Sequence, residues 1–295
     1  MSYRGRFAPT PSGPLHLGSL LTALASFLQA RAQGGRWLLR IDDLDRPRCV
    51  QGADAQICAQ LEAHGLLWDE APRYQTQHIA AYTAALEQLR QQDRLYGCTC
   101  TRAQLAERIP TGPDGPVYDG HCRHLARSLH PMALRLRVDP GAMTFLDGWQ
   151  GPQQRHRAEE MGDFVVQRAD GQIAYQLACA VDEPAQGITE VVRGADLLGS
   201  TFQQLCLQDL LGLPRASYRH LPVLTDRSGQ KLSKQNHAAA VDAAQANANL
   251  VRCLRWLGQN PPRDLERDSV PRILEWAIAH WRAVLVPGAP SLAVE

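Results

Sequence analysis

The chain has 295 residues, 44% of them hydrophobic, which is enough to bury a sizeable core in one large domain or two modest ones. Lys and Arg number 31 against 30 Asp and Glu, a formal net charge of +1, so overall charge does not mark a nucleic-acid binder and any RNA contact must come from local patches. No apolar run is long enough to span a bilayer, residues 1–10 are polar and Pro-containing rather than signal-like, and the eight cysteines are irregularly spaced in a chain too large to need disulfide staples; a cytoplasmic protein without membrane contact is expected.

Tyr3 to Phe7 reads as a short strand, and Ala8 to Pro14, rich in proline, cannot be regular structure. Leu17, Leu20, Leu21, Leu24, Ala25 and Leu28 recur on one face of a 3.6-residue repeat, which predicts a helix that Gly34-Gly35 ends. Trp37 to Ile41 then reads as a buried strand. The first segment is therefore a β-α-β unit with parallel strands and a right-handed crossover, and ligands of such sheets bind at the strands' carboxyl ends. Those ends carry the Pro/Gly loop with His16 and the acidic run Asp42-Asp43-Leu44-Asp45.

Helical patterns follow around Ala53 to His64 and at Ile79, Tyr82, Leu86 and Leu89. Near Tyr96 the composition turns Cys-, His- and Gly-rich, and long turn-rich loops up to His130 signal an inserted module or a metal site. Alternation returns at Met132 to Val138, then at Phe164 to Arg168 and Ile173 to Leu177, the last two read as a hairpin across Ala169-Asp170-Gly171. Ile188 to Arg193 and His220 to Leu224 read as strands, Leu198, Phe202 and Leu205 mark a helix, and the chain from about Asp242 reads as helical. The alternation of strands and helices gives an α/β fold.

Lysine occurs at only two positions, Lys231 and Lys234, both in the loop Asp226 to Gln235, while every other basic member of that pair is arginine. Two sites that avoid arginine suit a compact ammonium that approaches a phosphate as a point charge. His16-Leu17-Gly18-Ser19 fits beside them, because a helix start offers free N–H groups and positive potential to an anion, Gly18 permits close backbone approach, and an imidazole can donate to phosphate oxygens.

These segments resemble the two signatures of class I aminoacyl-tRNA synthetases: His16 to Ser19 looks like HIGH, and Lys231-Leu232-Ser233-Lys234-Gln235 looks like KMSKS. Arg6 to Gly13, Leu39 to Asp45, Tyr175-Gln176-Leu177-Ala178 and Val192-Arg193-Gly194-Ala195-Asp196 narrow the resemblance to the glutamyl branch. It implies a Rossmann-like catalytic domain in two halves, 1–95 and 161–240, around a zinc-containing insertion, 96–160, with a short helical C-terminal region, 241–295.

By position, the resemblance implies that Arg6 and Arg193 pair with the carboxylates of L-glutamate, that Ala8 and Thr10 present polar groups, and that Tyr175 hydrogen-bonds the substrate. It implies that His16, Gly18, Ser19 and Lys234 hold ATP with its Mg²⁺, His16 and Lys234 stabilising developing charge and Lys231 helping. A planar guanidinium suits bidentate carboxylate recognition, which supports the two arginines independently. One position departs from the family: where a glutamate usually follows the Arg-Ile of the second strand and meets the substrate amino group, this chain has Asp42, one methylene shorter.

Cys98-Thr99-Cys100 with Cys122 supplies three thiolates in a turn-rich insertion, a donor set for structural zinc. Chemistry alone offers His121 or His124 as the fourth ligand; the resemblance favours Tyr118. About 60 residues follow Lys234, too few for an anticodon-reading domain. This is similar to short members of the branch that place activated glutamate on the queuosine base in the anticodon of tRNA(Asp), with Arg123, Arg127, Arg155 and Arg157 as candidate phosphate contacts and a monomer as the default state. The rival expectations are a truncated enzyme charging a tRNA acceptor end, a related nucleotidyltransferase for another small acid, and a non-catalytic RNA-binding paralogue.

Overall fold

The computed structural model describes residues 2–125, 132–226, 229–231 and 239–294. Strand β1 (Arg4–Phe7), helix α1 (Leu17–Ala32) and strand β2 (Arg36–Ile41) form the expected parallel unit, with Arg4 opposite Arg36 and Phe7 opposite Leu39. Gly35 makes the return possible, because a Cβ there would lie 2.5 Å from the Tyr3 carbonyl oxygen. Trp37 is fully buried beneath α1; its indole N–H donates to Ser26 Oγ at 2.9 Å and its ring meets Phe27 edge-on at 5.3 Å. Truncating so large a buried aromatic typically costs about 3–5 kcal/mol, so this contact fixes the helix on the sheet.

Next come α2 (Ala53–Ala63), the short β3 (Arg73–Tyr74), which extends the sheet beside β2, and α3 (Ile79–Gln91). Beyond β4 (Leu95–Cys98) lie α4 (Arg102–Arg108), the two-residue strands β5 (Thr111–Gly112) and β6 (Gly115–Pro116), and β7 (Ala133–Leu136). A hairpin absent from the sequence reading follows, β8 (Ala142–Asp147) with β9 (Gly151–His156), and then β10 (Val165–Gln167), which completes an antiparallel sheet of β10, β7 and β4.

The hairpin expected at 164–177 is only half present. Gln167 bridges Ile173, but Tyr175 already starts helix α5 (Tyr175–Ala185), so the second arm is not a strand. Ile173, Tyr175 and Leu177 satisfy a period of two over a stretch too short to exclude a helix, and packing of α5 against α6 (Leu198–Leu211) decides the outcome. Strands β11 (Glu190–Gly194) and β12 (Ser217–Leu221) pair in parallel, and β12 also pairs with β8, which brings the hairpin into this sheet. Backbone bonding from Thr189 N–H to the Arg4 carbonyl, 2.9 Å, sets β11 beside β1.

The predicted strand His220 to Leu224 is divided by Pro222 into the end of β12 and β13 (Val223–Thr225). The C-terminal segment contains α7 (Ala246–Trp256) and α8 (Val270–His280), as expected of a helical region, but finishes in strand β14 (Ser291–Ala293), which pairs in parallel with β13. Leu250, Val251 and Leu254 of α7 and Ile273 of α8 bury against α1, so the helix that begins at His16 is enclosed on both sides by one core. A second core gathers Leu134, Val166, Leu177, Phe202 and Leu205 around α5 and α6. Among the described residues no helix is long and apolar enough to cross a membrane.

Candidate active site

His16 sits in extended conformation (φ −107°, ψ 170°) as the N-cap of α1, and its Nδ1 accepts the Ser19 backbone N–H at 3.3 Å. The ring proton of the neutral imidazole is then on Nε2, which lies 3.0 Å from Ser19 Oγ. The chain around the lysine loop is tied to the same place: Ala240 bridges His16, and Val241 N–H donates to the Leu15 carbonyl at 2.8 Å. On the other side of the loop, Lys231 bridges Thr225 and its Nζ lies 2.5 Å from Asp196 Oδ2. Lys234, with Ser233 and Gln235, lies outside the described residues.

A cavity of about 480 Å³ opens at the carboxyl ends of β1 and β11. Arg6, Ala8, Thr10, His16, Gly18, Ser19, Tyr175, Arg193 and Lys231 all line it, so residues spread over more than two hundred positions converge in one place. Asp42 lines a smaller cavity of about 290 Å³, and Thr10, Arg48 and Tyr175 border both. Of the residues expected to bind glutamate or ATP or to act in catalysis, the larger cavity thus gathers all the described ones but Asp42.

Charge at the base of the site is densely paired. The Arg6 Nε donates to both Glu183 oxygens at 3.1 Å and its Nη1 to the Val192 carbonyl at 3.2 Å. Arg40, fully buried, links Glu183 (Nη2, 3.2 Å) to Asp42 (Nε, 2.8 Å). Burial opposes ionisation of Glu183, but the flanking Arg40 and Arg6 hold its carboxyl down to about 2. Asp42 behaves oppositely: burial pushes its carboxyl up to about 6 despite the pull of Arg40. A carboxylate poised in this range titrates close to working pH.

Arg193 is held differently. Its Nε donates to His220 Nε2 at 3.1 Å, Nη2 to Thr201 Oγ1 at 2.7 Å, and Nη1 to the Tyr175 hydroxyl at 3.4 Å. His220 Nδ1 in turn contacts Asp147 Oδ2 at 2.6 Å. Glu183, Arg40, Thr201, His220 and Asp147 were not foreseen as site residues. The one available signal was a charged residue, Arg40, inside the otherwise apolar strand pattern Trp37 to Ile41.

The insertion forms a compact donor cluster. The Sγ atoms of Cys98, Cys100 and Cys122 lie within 4.8 Å of one another, the only such metal-competent group among the described residues. The Tyr118 hydroxyl is 3.5 Å from Cys98 Sγ and 3.6 Å from Cys100 Sγ, and accepts the Cys122 backbone N–H at 2.9 Å. Neither His121 nor His124 joins the group. Gly162, at φ +65°, packs so closely that a Cβ would lie 3.0 Å from the Tyr118 nitrogen, and Arg135 covers the Tyr118 ring at 3.8 Å, which together set the phenol over the thiols.

Of the arginines considered for phosphate contact, Arg123 pairs with the Asp163 carboxylate at 2.8 Å and Arg155 with Asp114 at 2.7 Å. Arg127 lies outside the described residues.

The family model for tRNA synthetases class I (E and Q), catalytic domain, matches residues 2–259. The chain belongs to this family of ligases, the class whose signatures His16 to Ser19 and Lys231 to Gln235 resemble. A protein of Thiobacillus denitrificans named glutamyl-Q tRNA(Asp) synthetase is 49% identical over 291 residues, spanning 98% of this chain and 96% of its own. A Pseudomonas aeruginosa protein of the same name is 48% identical over 294 residues, spanning 100% of this chain and 98% of its own. Among solved structures, a glutamate tRNA ligase from Elizabethkingia meningosepticum in complex with its amino acid shares the fold, with a TM-score of 0.79 at 24% identity over 99% of this chain and 67% of that one.

Proposed function

We propose that this chain activates L-glutamate with ATP as glutamyl-adenylate, without needing tRNA, and transfers the glutamyl group to the queuosine base in the anticodon of tRNA(Asp). The observation that carries the reading is the larger cavity, where the imidazole and backbone of an α-helix start face two guanidinium groups, Arg6 and Arg193. The first suits a triphosphate and the second a dicarboxylic amino acid. The names of the near full-length relatives support the RNA target.

The substrate carboxylate attacks the α-phosphorus, pyrophosphate leaves, and an RNA hydroxyl then attacks the carbonyl carbon of the mixed anhydride, releasing AMP. No protein nucleophile is required; catalysis is positioning and charge stabilisation. The His16 Nε2 proton and the ammonium of Lys234 stabilise charge on the phosphates, Lys231 assists from its place beside Asp196, and Mg²⁺ accompanies ATP. Asp42 receives the substrate ammonium group from the adjoining cavity, and Thr10 and Tyr175, common to both cavities, orient the amino acid between them.

Cys98, Cys100, Cys122 and Tyr118 fit a four-coordinate zinc ion in donor type and spacing. Held by four protein ligands, zinc would have no open position for water or substrate, and it would serve to shape segment 96–160 as a surface that receives RNA. The enzyme acts in the cytoplasm, where its RNA partner is found. Glutamate-dependent ATP–pyrophosphate exchange in the absence of RNA tests the activation step: exchange with glutamate and none with aspartate is expected, and exchange that appears only when tRNA is added would overturn tRNA independence.

A further inference from the structure

The segment that ends in His16 and the chain that leaves the lysine loop meet over one buried side chain, Gln60 of α2. The Leu15 N–H donates to Gln60 Oε1 at 2.7 Å, and Gln60 Nε2 donates to the Val241 carbonyl at 3.0 Å. Val241 N–H closes the ring by donating to the Leu15 carbonyl at 2.8 Å. Leu15 and Val241 are buried as well, so an N–H and a carbonyl meet away from water, and a carboxamide is the neutral side chain that serves both at once.

Gln60 is itself held from behind. Its carbonyl accepts the His64 Nδ1 proton at 2.7 Å, which leaves Nε2 of the neutral ring to accept from Asn249 Nδ2 at 3.2 Å. The same Asn249 nitrogen also donates to the Asp242 carbonyl at 3.0 Å. His64 and Asn249 are buried, and burial lowers the His64 pKa, in keeping with an uncharged ring. Ile57, one turn before Gln60 on α2, lines the larger cavity, whereas Gln60, His64 and Asn249 do not, so these three can act only through the groups they hold.

We propose that Gln60 is a positioning residue for the phosphate side of the reaction: its amide sets the start of α1, with the His16 imidazole and the Gly18–Ser19 backbone, at a fixed distance from the chain that leaves the lysine loop. The inference rests on the ATP reading proposed above. The two segments lie more than two hundred residues apart and pair through the single bridge His16–Ala240, too short to hold its own register. Arg6 and Arg193 are fixed by other partners, Glu183 for the first and His220 with Thr201 for the second, so a fault at Gln60 reaches the groups that face ATP and spares those that face the amino acid. Catalysis that depends on positioning falls steeply with displacement, by about 10²-fold for ~1 Å.

Gln60→Glu tests this by ATP–pyrophosphate exchange, each rate divided by the wild-type rate at the same pH so that the acid limb common to both cancels. Ionised, the new carboxylate still accepts the Leu15 N–H but sets an oxygen against the Val241 carbonyl; protonated, its hydroxyl replaces the lost donor. Burial favours the protonated form, and the titratable neighbours do not oppose it: His64 is neutral, His16 lies one residue beyond Leu15, and Asp242 turns its carboxylate to the Ala244 N–H at 2.9 Å. At pH ~8.5 kcat should stand about tenfold or more below wild type with the ATP KM raised about fivefold and the glutamate KM within about twofold, and at pH ~6 all should return to within about threefold.

A merely structural role would reduce the amount of active enzyme, moving kcat alone and leaving both KM values. A ratio that does not change with pH, or a glutamate KM that moves as far as the ATP KM, overturns the proposal. Should this variant not fold, Gln60→Met, similar in volume and without either bond, decides: a raised ATP KM with an unmoved glutamate KM at every pH supports the proposal, and wild-type kinetics overturn it. Wild-type protein inactive with glutamate would remove the activation reading alone, and the same comparison of ATP affinity by calorimetry would still decide the role of Gln60.

Discussion

Replacing Glu183 by glutamine removes one negative charge from the buried cluster beneath the site. The carboxylate is only 2% exposed and sits 3.1 Å from Arg6 Nε and 3.2 Å from Arg40 Nη2. Its pKa is lowered from 4.5 to about 2, because Arg40 and Arg6 outweigh the burial that opposes ionisation. At about 1.4 kcal/mol per unit, that shift corresponds to about 3 kcal/mol of stability at neutral pH, in line with about 3–5 kcal/mol for breaking a buried ion pair. The folded pKa lies below the unfolded one, so the contribution is complete above pH ~4.5 and is lost as pH falls toward ~2, roughly halved by pH 3. Urea unfolding of the wild-type and Glu183→Gln proteins at pH ~7 and ~3 measures both terms. A loss near 3 kcal/mol that shrinks in acid is expected; a loss under about 1 kcal/mol at neutral pH, or a gap that does not change with pH, would refute the reasoning.

Further expectations follow from the same geometry. Because burial pushes Asp42 up to about 6, kcat/KM for glutamate should fall as pH drops through that value, by roughly tenfold at pH ~5, and Asp42→Asn should remove this acid limb from the profile; a limb that survives the substitution contradicts the assignment. His16→Ala should lower kcat for exchange by about 10²–10³ with the glutamate KM little changed, alongside about 1 kcal/mol of stability from the lost N-cap; an effect confined to KM speaks against charge stabilisation by the imidazole. Cys98→Ser should lower zinc content in protein purified without added metal, and full metal occupancy in the variant would defeat the ligand set.

The β-α-β start was legible because two periodicities agree there, 3.6 residues in Leu17 to Leu28 and a short buried run in Trp37 to Ile41, and the loop between β1 and α1 could only be irregular. The larger cavity was legible for the same reason: most of its residues sit at element ends that such a unit brings together. The β8–β9 hairpin was not, since Leu146 on β8 is exposed and β9 carries Pro152 and several polar residues, so no apolar alternation marks either strand. Strand β14 is short and pairs only with β13, far away in sequence. Glu183 and Asp147 escaped notice because each lies within an element whose local pattern gives no reason to expect a buried charge; only the tertiary meeting with Arg6 and His220 explains them.

Glutamyl transfer to the modified base is measured by incubating the protein with labelled glutamate, ATP and tRNA(Asp) prepared with and without queuosine. Label is expected on the queuosine-containing tRNA(Asp) and none on its unmodified counterpart. Label on the acceptor end of tRNA(Glu), with none on the modified base, would contradict it.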